Sequence, residues 1–273
     1  MIVVADNLHI LNPAVAQAVE NLDADPIREL VRYCEQAGAQ AIDINPGPLV
    51  REPQKRFAFL VETVREVTNL PLVLDTGNAG ALEAGLAACG GKALINGFSL
   101  EPAKLERILP LAQRYDADII GYLLNAHSQV PIDAAEMMAV AVDLFQTYVE
   151  RGLAAERLII DPVIAPLSWH DGLPHNQAVL EVLRNLEDLL GAPVRTMAGL
   201  SNLASGPAAA HRKVALEMAY LPMLAAAGLD MVLLNVRHTS TVRLAQVCDA
   251  LLGDKIFAWT QLDGVAEAVD PST

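Results

Sequence analysis

Short apolar runs in this chain end, again and again, in an acid or an amide. The stretch "LVLDTGN", residues 72–78, passes from an apolar run straight into Asp75. "AIDIN" reaches Asp43 and Asn45, "ALING" reaches Asn96 and "IIGYLLN" reaches Asn125. "LIIDP" reaches Asp161, "MAGLSN" reaches Asn202 and "MVLLN" reaches Asn235. An ionised carboxylate only accepts hydrogen bonds, whereas an amide both donates and accepts. A set of such groups, poor in cations, suits a neutral heterocycle with several donors and acceptors. Any one of them alone reads as a loop or helix cap, because Asn and Asp favour turns and N-caps. Their recurrence at nearly every run is what calls for a common site.

The elements that carry these residues alternate throughout. "IVVA" precedes "DPIRELVRYCEQAG", where Asp25 reads as N-cap, Pro26 as the first helical residue and Gly38 as C-cap. "LVLDT" precedes "NAGALEAGLAACGG", and "ALING" precedes "EPAKLERILPLAQRY". The pattern repeats through "LIIDP" with "LPHNQAVLEVLRNLEDLLG" and "MVLLNV" with "TSTVRLAQVCDALLG". The count is about eight strand–helix units. Runs apolar on both faces imply a parallel sheet covered by helices. Eight units predict an α/β fold, a closed (β/α)8 TIM barrel, with 1–273 as a single domain. Active sites of such barrels lie at the C-terminal ends of the strands, so the acids and amides are expected to ring one cavity.

The 273 residues are 53% hydrophobic, enough for a core without a disulfide or metal staple. A balance of 19 Lys+Arg against 33 Asp+Glu gives −14, which disfavours nucleic acid and anionic membrane as partners. Cys34, Cys89 and Cys248 share no metal or redox spacing and fit a reducing, cytoplasmic setting. "MIVVADNLHI" reads as neither a signal peptide nor a membrane span.

Several chemistries lack their residues. A Schiff-base enzyme needs a Lys in the cavity, and Lys55, Lys92, Lys104, Lys213 and Lys255 are expected on helices or at strand starts. The six histidines, including His127, His170, His175 and His211, show no HxH or HExxH, so no protein-bound metal is expected. No GxGxxG or P-loop pattern occurs. Cations are missing from the expected mouth apart from Arg237 and Arg51. A reduced pterin fits what remains. Its 2-amino and N3–H edge presents donors that a carboxylate takes as it takes a guanidinium, and its other positions match an Asn amide. Each such bond in a dry pocket is worth about 1–3 kcal/mol.

"AIDINPGP", "LVLDTGN", "ALING", "LIIDPVIAP" and "AGLSN", in this order and spacing, resemble the pterin-binding methyltransferases. The sequence is most similar to the methyltetrahydrofolate:corrinoid-protein methyltransferases, over nearly the whole chain. The resemblance implies that Asp75, Asn96 and Asp161 hold the pterin ring and that Asn202 sits near N5 as the catalytic amide. Gly199 and Ser201 would shape that turn, Asn125 would line the pocket, and Asp43, Asn45 and Asn235 are further lining candidates. It also implies tetrahydrofolate or 5-methyltetrahydrofolate as substrate, a cobalamin or other corrinoid carried by a partner corrinoid protein, and a homodimer.

Some stretches depart from that pattern. The first strand of the family commonly ends Gly-Glu-Arg-Ile-Asn, where this chain places Asp6, Asn7 and His9 and no Arg. The last strand often ends in Asp, here Asn235. Residues 166–177, "PLSWHDGLPHNQ", are individual, and Trp169 reads first as packing its own loop and second as a docking aromatic. Dihydropteroate synthase is the nearest alternative. Its members carry a basic Ser-Arg-Lys-type turn where this chain has "LSNLASG", and Arg-Val-His where this chain has "NVRH". A non-catalytic pterin or folate carrier is another, and so is a barrel with unrelated small-molecule chemistry. The direction of methyl transfer is left open by the sequence.

Overall fold

The structure is a computed structural model that describes residues 1–131, 133–253 and 257–262. Lys255 and the C-terminal stretch from residue 263 lie outside the described residues. Eight parallel strands close in sequence order: β1 (Ile2–His9), β2 (Ala41–Asn45), β3 (Leu72–Asp75), β4 (Ala93–Phe98), β5 (Asp118–Tyr122), β6 (Leu158–Asp161), β7 (Arg195–Gly199) and β8 (Met231–Leu234). The ring closes where Val4 of β1 pairs with Leu233 of β8. The expected (β/α)8 barrel is the fold observed.

Helices cover the barrel: α1 (Pro13–Asn21), α2 (Asp25–Gln36), α3 (Pro53–Arg65), α4 (Ala79–Cys89), α5 (Pro102–Arg107), α6 (Leu109–Arg114), α7 (Ala134–Glu150), α8 (Gly172–Leu190), α9 (Ala210–Ala226) and α10 (Thr239–Leu252). Alternation along each strand splits the core in two. Val4, Ala41, Val73, Leu94, Ile120, Ile159, Met197 and Met231, one from each strand, pack together inside the barrel. Their neighbours in sequence, such as Ile42, Leu72, Leu74, Ile95 and Ile119, face out and pack with the helices. Side chains in a strand alternate in direction, so both faces being buried explains why these runs carry no polar alternation.

Local differences from the sequence reading have local causes. Helix α1 is an additional element ahead of α2, with Asn12 accepting from the Ala14 N–H as its N-cap. Asp25 is not the N-cap of α2 but its first residue, after the cap position at Ala24. The Asp23 carboxylate accepts the Asp25 N–H at 3.2 Å, and Asp25 instead pairs with Arg28 at 2.8 Å. Ala37 ends that helix, and Gly38 follows it at φ +98°, a conformation that glycine reaches without a Cβ clash. The stretch expected as one helix after β4 is broken at Ile108. Pro110 lacks the N–H that a continuing helix would use and instead sits in the first turn of α6.

The packing of α3 on α4 depends on a missing side chain. A Cβ at Gly85 would lie 2.5 Å from the ring of Phe57, which is fully buried and has no room to swing away. Gly85→Ala is therefore expected to cost about 1–3 kcal/mol through overpacking, read as a lower denaturant midpoint. An unchanged midpoint would show that the two helices can part freely.

Candidate functional site

Alternation also dictates what faces the mouth. Two residues beyond each interior apolar side chain, the chain delivers the next inward one. Val4 leads to Asp6, Ala41 to Asp43 and Asn45, Val73 to Asp75, and Leu94 to Asn96. Ile120 leads to Tyr122, Ile159 to Asp161, Met197 to Gly199, and Met231 through Leu233 to Asn235. Strand register then sets neighbours side by side: Asp75 pairs with Asn96, and Tyr122 with Asp161.

The groups are joined by direct contacts. Asn45 Nδ2 donates to Asp75 Oδ2 at 2.6 Å, while its Oδ1 accepts the Gly47 N–H at 3.0 Å. Asn96 Nδ2 reaches Asp43 Oδ1 at 3.5 Å, a weak bond, and Asn96 Oδ1 accepts the Tyr122 hydroxyl. Asp43, Asn96 and Asp161 are only 2%, 6% and 7% exposed. Asp161 Oδ1 takes the Val163 N–H at 2.7 Å.

A second set closes the β7–β8–β1 side. Burial raises the Asp6 carboxyl above the ordinary carboxylate value, with Ser201, His9 and His238 pulling the other way. Asn7 Nδ2 donates to Asn235 Oδ1 at 2.6 Å, and Asn7 Oδ1 accepts the Val236 N–H at 3.0 Å. Asn202 is exposed, at the end of the 3-10 turn Leu200–Asn202 that follows β7. Its amide lies over Gly199, where an added Cβ would come within 3.1 Å of Nδ2. Gly199 is thus the close-approach position that lets the turn fold back over the strand end.

The remaining sequence candidate is placed differently. Strand β5 ends at Tyr122, so Asn125 lies three residues past it, in the loop. There its Oδ1 accepts the N–H groups of His127 at 3.0 Å and Gln129 at 3.1 Å. Its amide oxygen caps a turn. Tyr122 is the residue that β5 sends inward, and period-two counting from Ile120 would have identified it.

Cations are also closer than the sequence suggested. Because α5 follows β4 directly and is short, Lys104 reaches back, with Nζ 5.6 Å from the Tyr122 ring centroid and its charge acting on Asp75. Arg107 lines a cleft of about 630 Å³ with Asn45, Asp75, Thr76 and Asn78. Arg51 and Arg237 do not serve the mouth in that way: Arg51 is exposed, 3.9 Å from Glu20, and Arg237 stacks over Tyr33 at 5.2 Å.

The loop after β6 is pinned from α8. His175 Nε2 lies 2.7 Å from the Val163 carbonyl, and Asn176 Nδ2 donates to the carbonyls of Ala165 at 2.8 Å and Gly172 at 2.7 Å. Val163 itself sits at φ +62°, strained for a β-branched residue. Trp169 does not pack into this loop, since it is 55% exposed; its backbone N–H holds the turn through Pro166 O. Among the described residues no group of three or more His, Cys, Asp or Glu side chains is placed to hold a metal ion.

Burial dominates the acid–base character of the mouth. It pushes Asp161 up to about 7, against the Val163 N–H, and Asp75 up to about 6, against Lys104 and Asn45. Asp43 is raised well above the carboxylate range by burial and then by the charges of Asp75 and Asp6. Each raised group binds its proton more tightly folded than unfolded, so stability falls as pH rises from the unfolded value through the folded one. From about pH 4, where the unfolded carboxyls titrate, up to about pH 7, Asp75 and Asp161 are expected to lower stability by several kcal/mol, the Asp75 share ending at about pH 6. Asp161→Asn should remove the larger part of that fall in denaturant titrations. An identical slope in the variant would show that Asp161 titrates as an ordinary surface acid.

An acceptor-rich, partly protonated cup of this kind can take a ligand edge that presents paired N–H donors. Comparison with known proteins agrees. A methylcorrinoid:tetrahydrofolate methyltransferase of Eubacterium limosum is 24% identical over 259 residues, covering 93% of this chain and 92% of that protein. The 7,8-dihydropteroate synthase of Vibrio fischeri ES114 superimposes with a TM-score of 0.66 at 18% identity, covering 93% of this chain and 94% of that one. Dihydropteroate synthase from Xanthomonas albilineans, in complex with 7,8-dihydropteroate, gives 0.67 at 21% identity, again over 93% and 94%. At these identities the structural likeness speaks for the fold. Residues 14–235 match the family described as pterin binding enzyme, and the chain belongs to that family.

Proposed function

We propose that this protein is a methyltransferase that moves a methyl group between N5 of tetrahydrofolate and the cobalt of a corrinoid carried by a partner protein. The observation that carries this reading is the Asp161 carboxyl. It is buried, it has one backbone donor at 2.7 Å, and it stands in register beside Tyr122 across the mouth from the paired Asp75 and Asn96. Such a group retains acceptor capacity that a ligand's donors can fill. The 2-amino and N3–H edge of a pterin supplies them. The named activity of the Eubacterium limosum relative supports the rest of the assignment.

The roles follow from position. Asp161, Asp75 and Asn96 hold the ring, with Asp43 and Asn45 orienting Asn96 and Asp75 from behind. Gly199 and Ser201 set the turn that brings Asn202 to N5. In one direction, Co(I) of the corrinoid attacks the methyl carbon, the N5–carbon bond breaks with its electron pair on N5, and N5 takes a proton. In the other, N5 attacks the methyl group, the carbon–cobalt pair stays on cobalt, and N5 loses its proton. The Asn202 amide can donate to neutral N5 or accept from protonated N5–H by turning over, so it favours the charged transition state without titrating. No covalent enzyme intermediate is needed. The corrinoid protein would approach the barrel mouth, the face where the strand ends open.

A dihydropteroate synthase reading has the fold neighbours on its side. It would need cations for a pyrophosphate leaving group, and residues 200–206 contain neither Lys nor Arg. Consumption of p-aminobenzoate in a coupled assay would favour that reading over ours.

Asn202→Ala is expected to lower methyl transfer from methylcobalamin to tetrahydrofolate about 10²–10³-fold. Tetrahydrofolate affinity should fall by no more than about 10-fold. Equal losses in both would remove Asn202 from the reaction. Ligand binding should also release protons below about pH 7, because the donor edge favours ionised Asp161 and Asp75. Calorimetry in buffers of differing ionisation enthalpy reads that release, and its absence would place the edge elsewhere.

A further inference from the structure

The cleft that Arg107 lines is a neighbour of the cup that takes the ring, not the same space. Asn96 and Asp161 do not line it, whereas Asn45 and Asp75 belong to both. Its other walls are residues 47–49, after β2, and residues 76–80, between β3 and the first turn of α4. A volume of about 630 Å³ falls in the range of sites that enclose a small ligand. Of the described residues lining it, Asp75 and Arg107 alone are charged, and Asp75 is bonded by Asn45 at 2.6 Å. Arg107 is exposed in the last turn of α5 and has no ion pair or hydrogen bond among the described residues. Arginines elsewhere on the helix layer are paired: Arg28 with Asp25 and Glu66, and Arg114 with Glu83. Lys104, three residues earlier and so on the same side of α5, holds its Nζ 5.6 Å from the Tyr122 ring centroid. Two cations thus stand along one edge of the mouth in a chain of net charge −14.

The order of strands says which end of a ligand meets this cleft. In a closed ring of eight, β2 stands opposite β6. A pterin with its 2-amino and N3–H edge on Asp161, at the end of β6, points its far end across the mouth toward β2 and β3. That far end includes C6, the atom that bears the side chain of a folate. In tetrahydrofolate the side chain is p-aminobenzoyl-glutamate, which finishes in two carboxylates. A guanidinium takes a carboxylate through two parallel N–H bonds. We propose that the cleft between the loops after β2 and β3 seats the acidic tail of the ligand, with Arg107 pairing a tail carboxylate, so that the protein prefers tetrahydrofolates bearing glutamate to pterins without it. This rests on the pterin reading of the cup for the placement of the ring. Asn45 and Asp75, shared by cup and cleft, let one ligand run from the first into the second.

Calorimetry on the full-length protein tests this without turnover. The ligands are tetrahydrofolate, its triglutamate form and 6-methyltetrahydropterin, which has the reduced ring and no tail. The proteins are the parent, Arg107→Gln, Arg107→Lys and, as a control for surface charge, Arg184→Gln on α8. Arg107→Gln is expected to weaken tetrahydrofolate about fivefold and its triglutamate at least as much, with 6-methyltetrahydropterin changed less than about twofold. Arg107→Lys should fall between, because a point charge replaces a fork. Arg184→Gln should leave every affinity within about twofold. The preference of the parent for tetrahydrofolate over 6-methyltetrahydropterin should shrink from about 50 to about 500 mM salt. Equal losses for the tailed and tail-less ligands in Arg107→Gln, or no loss for either, overturn the proposal. Equal affinity of the parent for both ligands would sink it while leaving the pterin reading intact. A parent that binds neither would remove that reading and this inference with it.

Discussion

The structure depends on carboxyl groups taken out of water at the mouth of a closed barrel. Closure makes eight strands converge, so side chains two residues past the inner apolar layer must share one small volume. Four of them are Asp6, Asp43, Asp75 and Asp161, and for each the largest influence is burial, which disfavours charge. The compensation comes from the Lys104 charge at Asp75, the amides of Asn45 and Asn96, and the Val163 N–H. A ligand that brought N–H donors to these carboxyls would relieve that conflict. Sites of this kind commonly trade stability for binding.

Much of this was legible in the residues. Eight alternations of apolar run and amphipathic segment specify the barrel, because few other folds accommodate them. Strand ends were legible as acids and amides for the same reason. What escaped was phase. Where both faces of a strand are buried, an apolar run gives no sign of which residue points in, so Tyr122 passed as one more hydrophobe while Asn125, a turn cap, was counted with the mouth. Counting by two from the interior layer resolves this, but that layer is visible only once the strands are paired. Lys104 escaped because a helical lysine ordinarily points to solvent; Pro110 interrupts the helix, leaving a short α5 that lies against the mouth.

The two sides of the mouth are built by different means. At β6, the chain is fixed rigidly after Asp161. Val163 is held in a left-handed conformation between the Asp161 carboxyl and the His175 ring, and Asn176 anchors the segment that follows. Strain of about 1–3 kcal/mol at such a residue persists only where neighbours over-determine it. At β7 and β8 the order comes from the Asn7 side chain, which bonds the Asn235 amide and the Val236 N–H. The β6 side of the mouth is therefore set by backbone, and the side that carries Asn202 by polar side chains.

The interior layer from Val4 to Met231 is a solid floor, with one apolar side chain from every strand. It makes the barrel a blind cup with no rear exit. If a folate and a corrinoid-bearing protein both use it, they share a single doorway, and the smaller must be seated flat before the larger covers it. Discharge of the spent folate then waits for the large partner to lift away, so the undocking of two proteins, rather than bond-making, would set the pace of repeated cycles.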